Sequence, residues 1–130
     1  MLQLVWFKRD LRSTDHQALH QAAQAGPVLA FYCLEPDYWQ LADTSVRQWQ
    51  FVRESLQDLS NELDGRLQIF QGNVVPLLAQ LKTVLGQFTL HSHQETGNNW
   101  TYQRDIQVAA WCRQHQINWQ QYQQFGVLRP

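Results

Sequence analysis

The chain contains a run of seven apolar residues at positions 28–34, between Gly26-Pro27 and Glu35-Pro36. A strand with only one face in the core alternates apolar and polar residues, so an unbroken apolar run predicts a strand that is covered on both faces. Strands of this kind occur almost only in parallel sheets that carry helices on each side. The run therefore predicts an α/β architecture.

Segments with the period of a helix alternate with strand-like segments along the chain. Strands are predicted at residues 2–7, 28–34, 66–71, 88–93 and, more weakly, 117–119. Helices are predicted at residues 14–25, at 45–63, between Pro76 and Gly86, and after Asn98-Asn99 through Trp100, Ile106, Ala110 and Trp111. With right-handed crossovers, this alternation predicts a three-layer α/β/α sandwich. Its five-stranded parallel sheet is expected to be doubly wound and Rossmann-like, with the strand order 3-2-1-4-5.

The predicted helix ends have recognisable chemistry. Thr14 and Gln17 have the spacing of a capping box, and Gly26-Pro27 would end that first helix. The long helix would start after Asp43-Thr44-Ser45 and end at Asp64-Gly65. Its apolar stripe is predicted to contain Val46, Trp49, Val52, Leu56, Leu59 and Leu63.

Polar residues follow most of the predicted strands at the point where each strand ends. They are Lys8-Arg9-Asp10, Glu35-Pro36-Asp37, Gly72-Asn73 and Gln94-Glu95-Thr96-Gly97. Open α/β sheets bind ligands beyond the carboxyl ends of their strands, where the strand order reverses. The sequence therefore predicts one pocket, at this edge of the sheet.

Composition excludes several classes of protein. The chain has 130 residues, which predicts a single domain over residues 1–130. A net charge of -1 argues against binding of nucleic acid by this unit alone, and no apolar run approaches the length of a membrane helix. The N-terminus has no secretory signal pattern, so a cytoplasmic location is expected. Cys33 and Cys112 are far apart, which predicts two buried thiols and neither a zinc site nor a disulfide framework.

Several common reaction motifs are missing from the sequence. The six glycines are isolated, so neither a dinucleotide fingerprint nor a P-loop is present. His91 and His93 would lie on one face of a strand, but no third ligand stands at a suitable spacing, and no metal site is predicted. No nucleophile with an adjacent base is found either, so no residue is predicted to be catalytic.

The charged cluster that contains Lys8, Arg9, Asp10 and Arg12 has a purely structural interpretation. An arginine–aspartate pair would tie the first loop to the rest of the protein and cap the next helix. Glu95 could likewise belong to a turn before a helix, and Arg47 to the surface. The residues alone leave these interpretations open beside a ligand site.

Seven segments, in order along the chain, resemble the photolyase and cryptochrome flavoproteins. They are Trp6-Phe7-Lys8-Arg9-Asp10-Leu11-Arg12 with Asp15 and Ala18-Leu19, Cys33-Leu34-Glu35-Pro36, Phe51-Val52-Arg53-Glu54-Ser55-Leu56 with Leu59, Gln71-Gly72, Glu95-Thr96-Gly97-Asn98, Arg104-Asp105 and Phe125-Gly126-Val127-Leu128. The likeness extends over the whole chain. The chain departs from the usual pattern where Lys8 replaces an arginine and His16 replaces an asparagine. Arg47 is also displaced by about one residue from where a deazaflavin-type site would have it.

The resemblance implies the amino-terminal α/β domain of that family, which in many members carries a light-harvesting antenna chromophore. By resemblance the chromophore site would contain Tyr32, Glu35, Arg47 and Glu95. A flavin or deazaflavin is expected rather than a folate, because folate-using relatives can carry an Asn-Glu pair where this chain has Trp100-Thr101.

The resemblance also implies a longer parent protein, either a light-driven DNA-repair enzyme or a blue-light photoreceptor. Its FAD and its lesion pocket would belong to a helical domain that is absent from this chain, so DNA binding is expected only from the full-length protein. In this setting Lys8, Arg9, Asp10 and Arg12 are predicted to be structural or interdomain residues. Two alternatives remain: a free-standing module that binds a nucleotide or small ligand, and a purely structural docking domain.

Overall fold

In the computed structural model, which describes residues 1–39, 46–95 and 99–123, helices and strands alternate along the chain. The strands are β1 (Leu2–Phe7), β2 (Val28–Leu34), β3 (Leu67–Gln71), β4 (Phe88–His93) and β5 (Asn118–Tyr122). The helices are α1 (Gln17–Ala25), α2 (Pro36–Trp39), α3 (Val46–Glu62), α4 (Val74–Leu85) and α5 (Asn99–Gln114). The short helix α2 was not predicted.

The five strands form one parallel sheet in the order β3-β2-β1-β4-β5, which confirms the predicted fold. The central strand β1 pairs with β2 on one side, where Val5 lies opposite Ala30, and with β4 on the other, where Leu4 lies opposite Leu90. The strand order reverses between β1 and β4. A ligand crevice is therefore expected above the carboxyl ends of these two strands.

Side chains that alternate along each strand supply two separate cores, one on each face of the sheet. Trp6 and Phe31 face α4 and α5, where Leu78 and Val108 are fully buried. Phe7 and other strand residues face α1 and α3 on the opposite side, with the buried residues Ala18, Ala22, Leu56 and Leu59. The sandwich thus has three layers, and β2 is covered on both faces as predicted.

The capping-box prediction for α1 was wrong. The helix begins at Gln17, three residues after the predicted start, and His16 is its N-cap. The Nδ1 atom of His16 accepts a hydrogen bond of 3.0 Å from the main-chain N–H of Leu19. Asp15, just before the cap, has a positive φ of 53°, so the chain turns here before the helix can start.

Arg104 lies on the buried face of α5. The residues of this helix that are buried are Thr101, Arg104, Val108, Trp111 and Cys112, whereas Ile106 is 46% exposed. Thr101, Arg104, Val108 and Trp111 follow one another at spacings of three, four and three residues, which is a helical stripe. A charged side chain thus occupies one position of this stripe.

The other element ends agree closely with the predictions. The end of α3 has the expected glycine cap, because Gly65 has a φ of 76° and its N–H donates to the carbonyl of Ser60 at 2.7 Å. Strand β5 starts one residue later than predicted and extends to Tyr122. The predicted cap at Asp43-Thr44-Ser45 and the motif residues Thr96-Gly97-Asn98 and 125–128 lie outside the described residues.

Both cysteines are buried free thiols, as predicted. Burial and the nearby Glu35 carboxylate raise the pKa of Cys33 to about 12, and burial raises that of Cys112 to about 11. In the described part of the chain, no helix has both the length and the hydropathy that a membrane span requires.

Candidate functional site

A cavity of about 640 Å³ opens at the carboxyl edge of the sheet, beside the ends of β1 and β2. Its volume lies within the range of small-molecule sites in proteins. The cavity wall contains all four residues of the predicted chromophore site, which are Tyr32, Glu35, Arg47 and Glu95. Residues from the first loop, from α2 and from α3 complete the lining.

Aromatic side chains form one part of the cavity wall. Tyr32 is buried at the end of β2, and Phe51 of α3 lines the cavity although it is 70% exposed. In α2, Trp39 contacts Tyr38 and Trp49, with ring centroids 5.3 and 5.4 Å apart. Several aromatic rings in one cavity wall offer flat apolar surfaces on which a planar aromatic ligand can stack.

Arg104 is a buried cation at the base of the cavity. Its guanidinium donates from Nη1 to Glu35 at 2.8 Å and from Nε to Asp105 at 3.0 Å, and Nη2 donates to Glu95. It also lies against the ring of Trp6, with Cζ 4.8 Å from the centroid. Although burial alone would lower the pKa of Arg104, the three carboxylates raise it above its usual value.

Arg104 was not among the predicted site residues. It entered the sequence analysis only as part of the Arg104-Asp105 motif. The available signal was its place on the stripe with Thr101 and Val108, where a charged side chain must be buried against a partner of opposite sign. Such a residue marks either a structural ion pair or a site.

Glu35 is a buried carboxylate, 6% exposed, that pairs with Arg104. Burial has the largest effect on the pKa of Glu35 and raises it, and this effect outweighs the attraction of Arg104, which lowers it. The negative charges of Glu95 and Asp105 also raise this pKa. Together they raise the pKa of Glu35 to about 7.

Lys8 and Arg9 are the other two cations at the base of the cavity. The Nζ atom of Lys8 lies 3.2 Å from Asp105 and 4.3 Å from the centroid of the Trp6 ring, and burial lowers the pKa of this amine. Arg9 is half-exposed and bonds Glu95 at 2.9 Å. The base therefore contains three cations and three carboxylates, so its formal charges balance.

Arg12 and Arg47 are two further exposed cations of the cavity wall. Arg12 donates from Nε and Nη2 to the main-chain oxygen of Asp15, at 3.3 and 3.1 Å. No carboxylate within residues 1–39, 46–95 and 99–123 forms an ion pair with either guanidinium. These two residues thus differ from the balanced base beneath them.

Asp10 pairs with two histidines and not with the neighbouring arginines. Its Oδ2 atom lies 2.6 Å from Nε2 of His16 and 2.7 Å from Nδ1 of His93, and its Oδ1 accepts the main-chain N–H of Lys8 at 2.7 Å. Burial opposes ionisation of Asp10, but these hydrogen bonds outweigh it and hold its pKa well below the usual range. An ionised Asp10 only accepts, so both histidine nitrogens that face it carry hydrogens.

The Asp10, His16 and His93 side chains are close enough to be considered as metal ligands, since their ligand atoms lie within 4.8 Å of one another. A metal-bound histidine normally donates its second ring N–H to an acceptor. His16 does the opposite, because its second nitrogen accepts from Leu19. Metal binding through Nε2 would therefore cost the cap of α1, and the absence of a metal stays a prediction.

His91 and His93, which the sequence placed on one strand face, have separate partners. His91 bonds Gln3 through Nε2 at 2.6 Å and Tyr122 through Nδ1 at 3.0 Å, whereas His93 bonds Asp10. Burial lowers the pKa of His91. Both ring nitrogens of His91 are thus used within the fold.

Comparison with known proteins gives consistent results. Residues 3–130 match the family model described as DNA photolyase. The chain is 32% identical over 111 residues to a deoxyribodipyrimidine photo-lyase of Synechococcus sp., covering 82% of this chain and 23% of that protein. It is 30% identical over 101 residues to a cryptochrome DASH of Synechocystis sp., covering 71% of this chain and 21% of that protein.

Among solved structures, the chain is similar to a bacterial class III photolyase from Agrobacterium tumefaciens. The TM-score is 0.81 at 22% sequence identity, and the match covers 98% of this chain and 27% of that one. This likeness concerns the fold. The chain spans about a quarter or less of the length of the two curated relatives described above.

Proposed function

The chain belongs to the DNA photolyase and cryptochrome family, as its amino-terminal α/β domain, and from this premise we propose that its cavity binds a planar antenna chromophore. The observation that carries the proposal is the convergence of Tyr32, Glu35, Arg47 and Glu95 on one cavity at the carboxyl edge of the sheet. These residues are up to 63 positions apart in the sequence. Their convergence supports a built site.

Each of the four residues has a role in this proposal. Tyr32 and the nearby rings of Trp39 and Phe51 offer apolar surface to the flat ring system. Glu35 and Arg47 offer an acceptor and a donor to its polar edge. Glu95 forms ion pairs with Arg9 and Arg104, which hold its carboxylate in place. We assign this fixed carboxylate to the polar edge of the ligand as an acceptor.

We favour a flavin or deazaflavin over a folate as the chromophore. The reason is the residue pair Trp100-Thr101, which stands where folate-using relatives can carry Asn and Glu. Trp100 is also engaged within this domain, because its ring lies 5.6 Å from that of Tyr38 and 5.6 Å from Cζ of Arg104.

The proposed role is the first step of a light-driven process in a cytoplasmic parent protein. The chromophore would absorb light and pass the energy to FAD in a helical domain, which is the proposed partner of this one. Repair of a DNA lesion or signalling would follow there and not in the cavity described above. Lys8, Arg9, Asp10 and Arg12 are then structural or interdomain residues.

The proposal is tested by titrating the purified chain with flavin, deazaflavin, folate and AMP, following absorption and fluorescence. We expect saturable binding of a flavin or deazaflavin and weaker binding of AMP and folate. Arg47→Ala should lower chromophore occupancy without changing the circular dichroism spectrum. Arg53→Ala is the matched control, because Arg53 is an exposed arginine of α3 that does not line the cavity.

Two outcomes would contradict the proposal. Saturable binding of AMP alone would favour the free-standing nucleotide module. Binding of none of the four ligands would favour the structural docking domain.

A further inference from the structure

Strand β5 forms an open edge of the sheet without any charge. Residues 114–128, which contain β5, have no aspartate, glutamate, lysine or arginine. In the part of the chain that the structure describes, β5 pairs with β4 and with no other strand. Edge strands are usually protected from pairing with another chain by lysines, prolines or bulges. β5 has neither a lysine nor a proline, and it pairs with β4 in consecutive register, so its outer edge is suited to receive another strand.

Two charged residues of α5 identify the side of this helix that is nearer to β5. The helix connects β4 to β5 and therefore lies over these two strands. Arg104 reaches across to Glu35, at the end of β2. Asp105 pairs with Lys8, whose Nζ atom lies 5.8 Å from the ring centroid of Trp119 in β5. The Arg104 side of α5 thus faces the middle of the sheet, and the Asp105 side faces the β5 edge.

The flank of α5 beyond Asp105 is apolar. With about 3.6 residues per turn, the positions that follow Asp105 around the helix in this direction are Ala109, Tyr102 and Ile106. Tyr102 is 63% exposed, and Ile106 is also exposed. Two large apolar side chains thus lie in solvent on the side of the helix that faces an open strand edge, and together with β5 they form a candidate interaction surface.

The opposite edge of the sheet is built differently. Strand β3 is also uncharged, but α3, the helix that leads into it, exposes Arg53, Glu54 and Asp58. Charged side chains near an edge strand oppose edge-to-edge pairing. Of the two edges, the β5 edge is therefore the one suited to association.

We propose that the β5 edge binds β5 of a second copy of this chain, in an antiparallel pair about a two-fold axis at Gln120. A second copy fits because the edge is complementary to itself. An uncharged strand meets no like charge in its own copy, and the amide of Gln120 can both donate and accept across the axis. The inference goes beyond the proposed function and does not rest on it, because β5 and the apolar flank of α5 are not part of the cavity wall.

The same axis would bring the two α5 helices together. Neighbouring strands are about 4.8 Å apart, so a helix over β4 and β5 would lie about 10 Å from its symmetry copy, which is the usual distance between packed helices. The small side chain of Ala109 permits this approach, and Tyr102 and Ile106 would lose solvent. The helix flanks thus add apolar area to a strand edge that would be too small an interface alone.

Analytical ultracentrifugation of the purified chain, from about 10 µM to about 1 mM, tests the dimer in the range expected for a small interface. We expect a monomer–dimer equilibrium. Gln120→Lys places like charges opposite each other and should raise the dissociation constant at least about tenfold. Gln68→Lys is the matched control, because it adds the same charge to an exposed glutamine of the other edge strand, and it should leave the constant unchanged. Circular dichroism checks that both variants keep the fold.

A disulfide reports the strand pairing directly. In Gln120→Cys, the two Cα atoms would lie within the range of about 4.4–6.8 Å that a disulfide requires, so mild oxidation should give a covalent dimer. Gln68→Cys should stay monomeric under the same conditions. The native Cys33 and Cys112 are buried and should not compete.

Three outcomes would overturn the inference. They are a monomer at all concentrations, a dimer that Gln120→Lys leaves intact and Gln120→Cys does not cross-link, and open-ended assembly into fibres instead of a closed pair. Each of them would leave the chromophore proposal standing, since flavin binding is measured at the cavity and β5 does not line it.

Discussion

Two buried carboxylates at the same edge of the sheet behave in opposite ways. Asp10 follows β1 and is 1% exposed, and Glu35 follows β2 and is 6% exposed. Burial raises the pKa of both, yet the pKa of Asp10 ends well below its usual range and that of Glu35 rises to about 7. The degree of burial therefore does not explain the difference.

The groups around each carboxylate explain it, because donors surround Asp10 whereas Glu95 and Asp105 add their negative charges to the effect of burial at Glu35. Asp10 accepts from His16, His93 and the main-chain N–H of Lys8. Glu35 accepts from Arg104, and this guanidinium is shared with Glu95 and Asp105. A buried carboxylate with several donors of its own stabilises a fold, whereas one with too few donors has acceptor capacity left for a ligand.

The largest expected effect comes from neutralising each carboxylate in turn. Asp10→Asn replaces an ionised acceptor that serves two histidines, and it should lower the free energy of unfolding by about 3 kcal/mol. Glu35→Gln removes a charge that burial disfavours and leaves Arg104 with two carboxylates, so it should change stability by less than about 1 kcal/mol. Urea unfolding near neutral pH measures both values. Equal costs for the two variants would contradict the comparison.

The two carboxylates should also act in different pH windows. Ionisation of Asp10 is easier in the folded state, so its contribution is present above its usual pKa of 3.8 and is lost as the pH falls below that value. Glu35 binds its proton more tightly in the folded state. Its contribution is therefore largest below its usual pKa of 4.5 and is lost as the pH rises through about 7.

Unfolding free energies of the native chain and of Glu35→Gln, measured from about pH 4 to about pH 8, test the second window. We expect the native chain to lose stability relative to the variant as the pH rises across this range. A difference between the two proteins that does not change with pH would show that Glu35 is ionised to the same extent in the folded and unfolded states.

The fold could be predicted from the sequence because its signals are local. The apolar run at β2 and the alternation of strands and helices were enough to predict a parallel sheet with helices on both faces. The observed order is the Rossmann-like one of the common doubly wound orders. The edge of the sheet that carries the cavity followed from the same rule. The position of Glu35 and Glu95 at that edge required only that each follows a strand.

The partners of the buried charges could not be predicted, because they are distant in the sequence. Asp10 and His93 are 83 residues apart, and Arg104 and Glu35 are 69 apart. Arg104 interrupts the apolar stripe of α5, and His16 caps α1 with a ring nitrogen where the sequence offered Thr14 as a more usual cap. In both cases a polar side chain occupies a position for which the sequence pattern favours a different residue type.

At His16, two functions of one side chain can be separated by their costs in stability. His16→Asn keeps a good N-cap residue for α1 but is too short to replace the ring that bonds Asp10, and it should cost about 1 kcal/mol. His16→Ala loses both bonds and should cost about 2 kcal/mol, so the difference between the variants measures the cap. Urea unfolding gives both values, and the circular dichroism spectrum checks that both variants keep the fold. If the two variants cost the same, the cap contributes nothing, and the late start of α1 then depends on the turn at Asp15 instead.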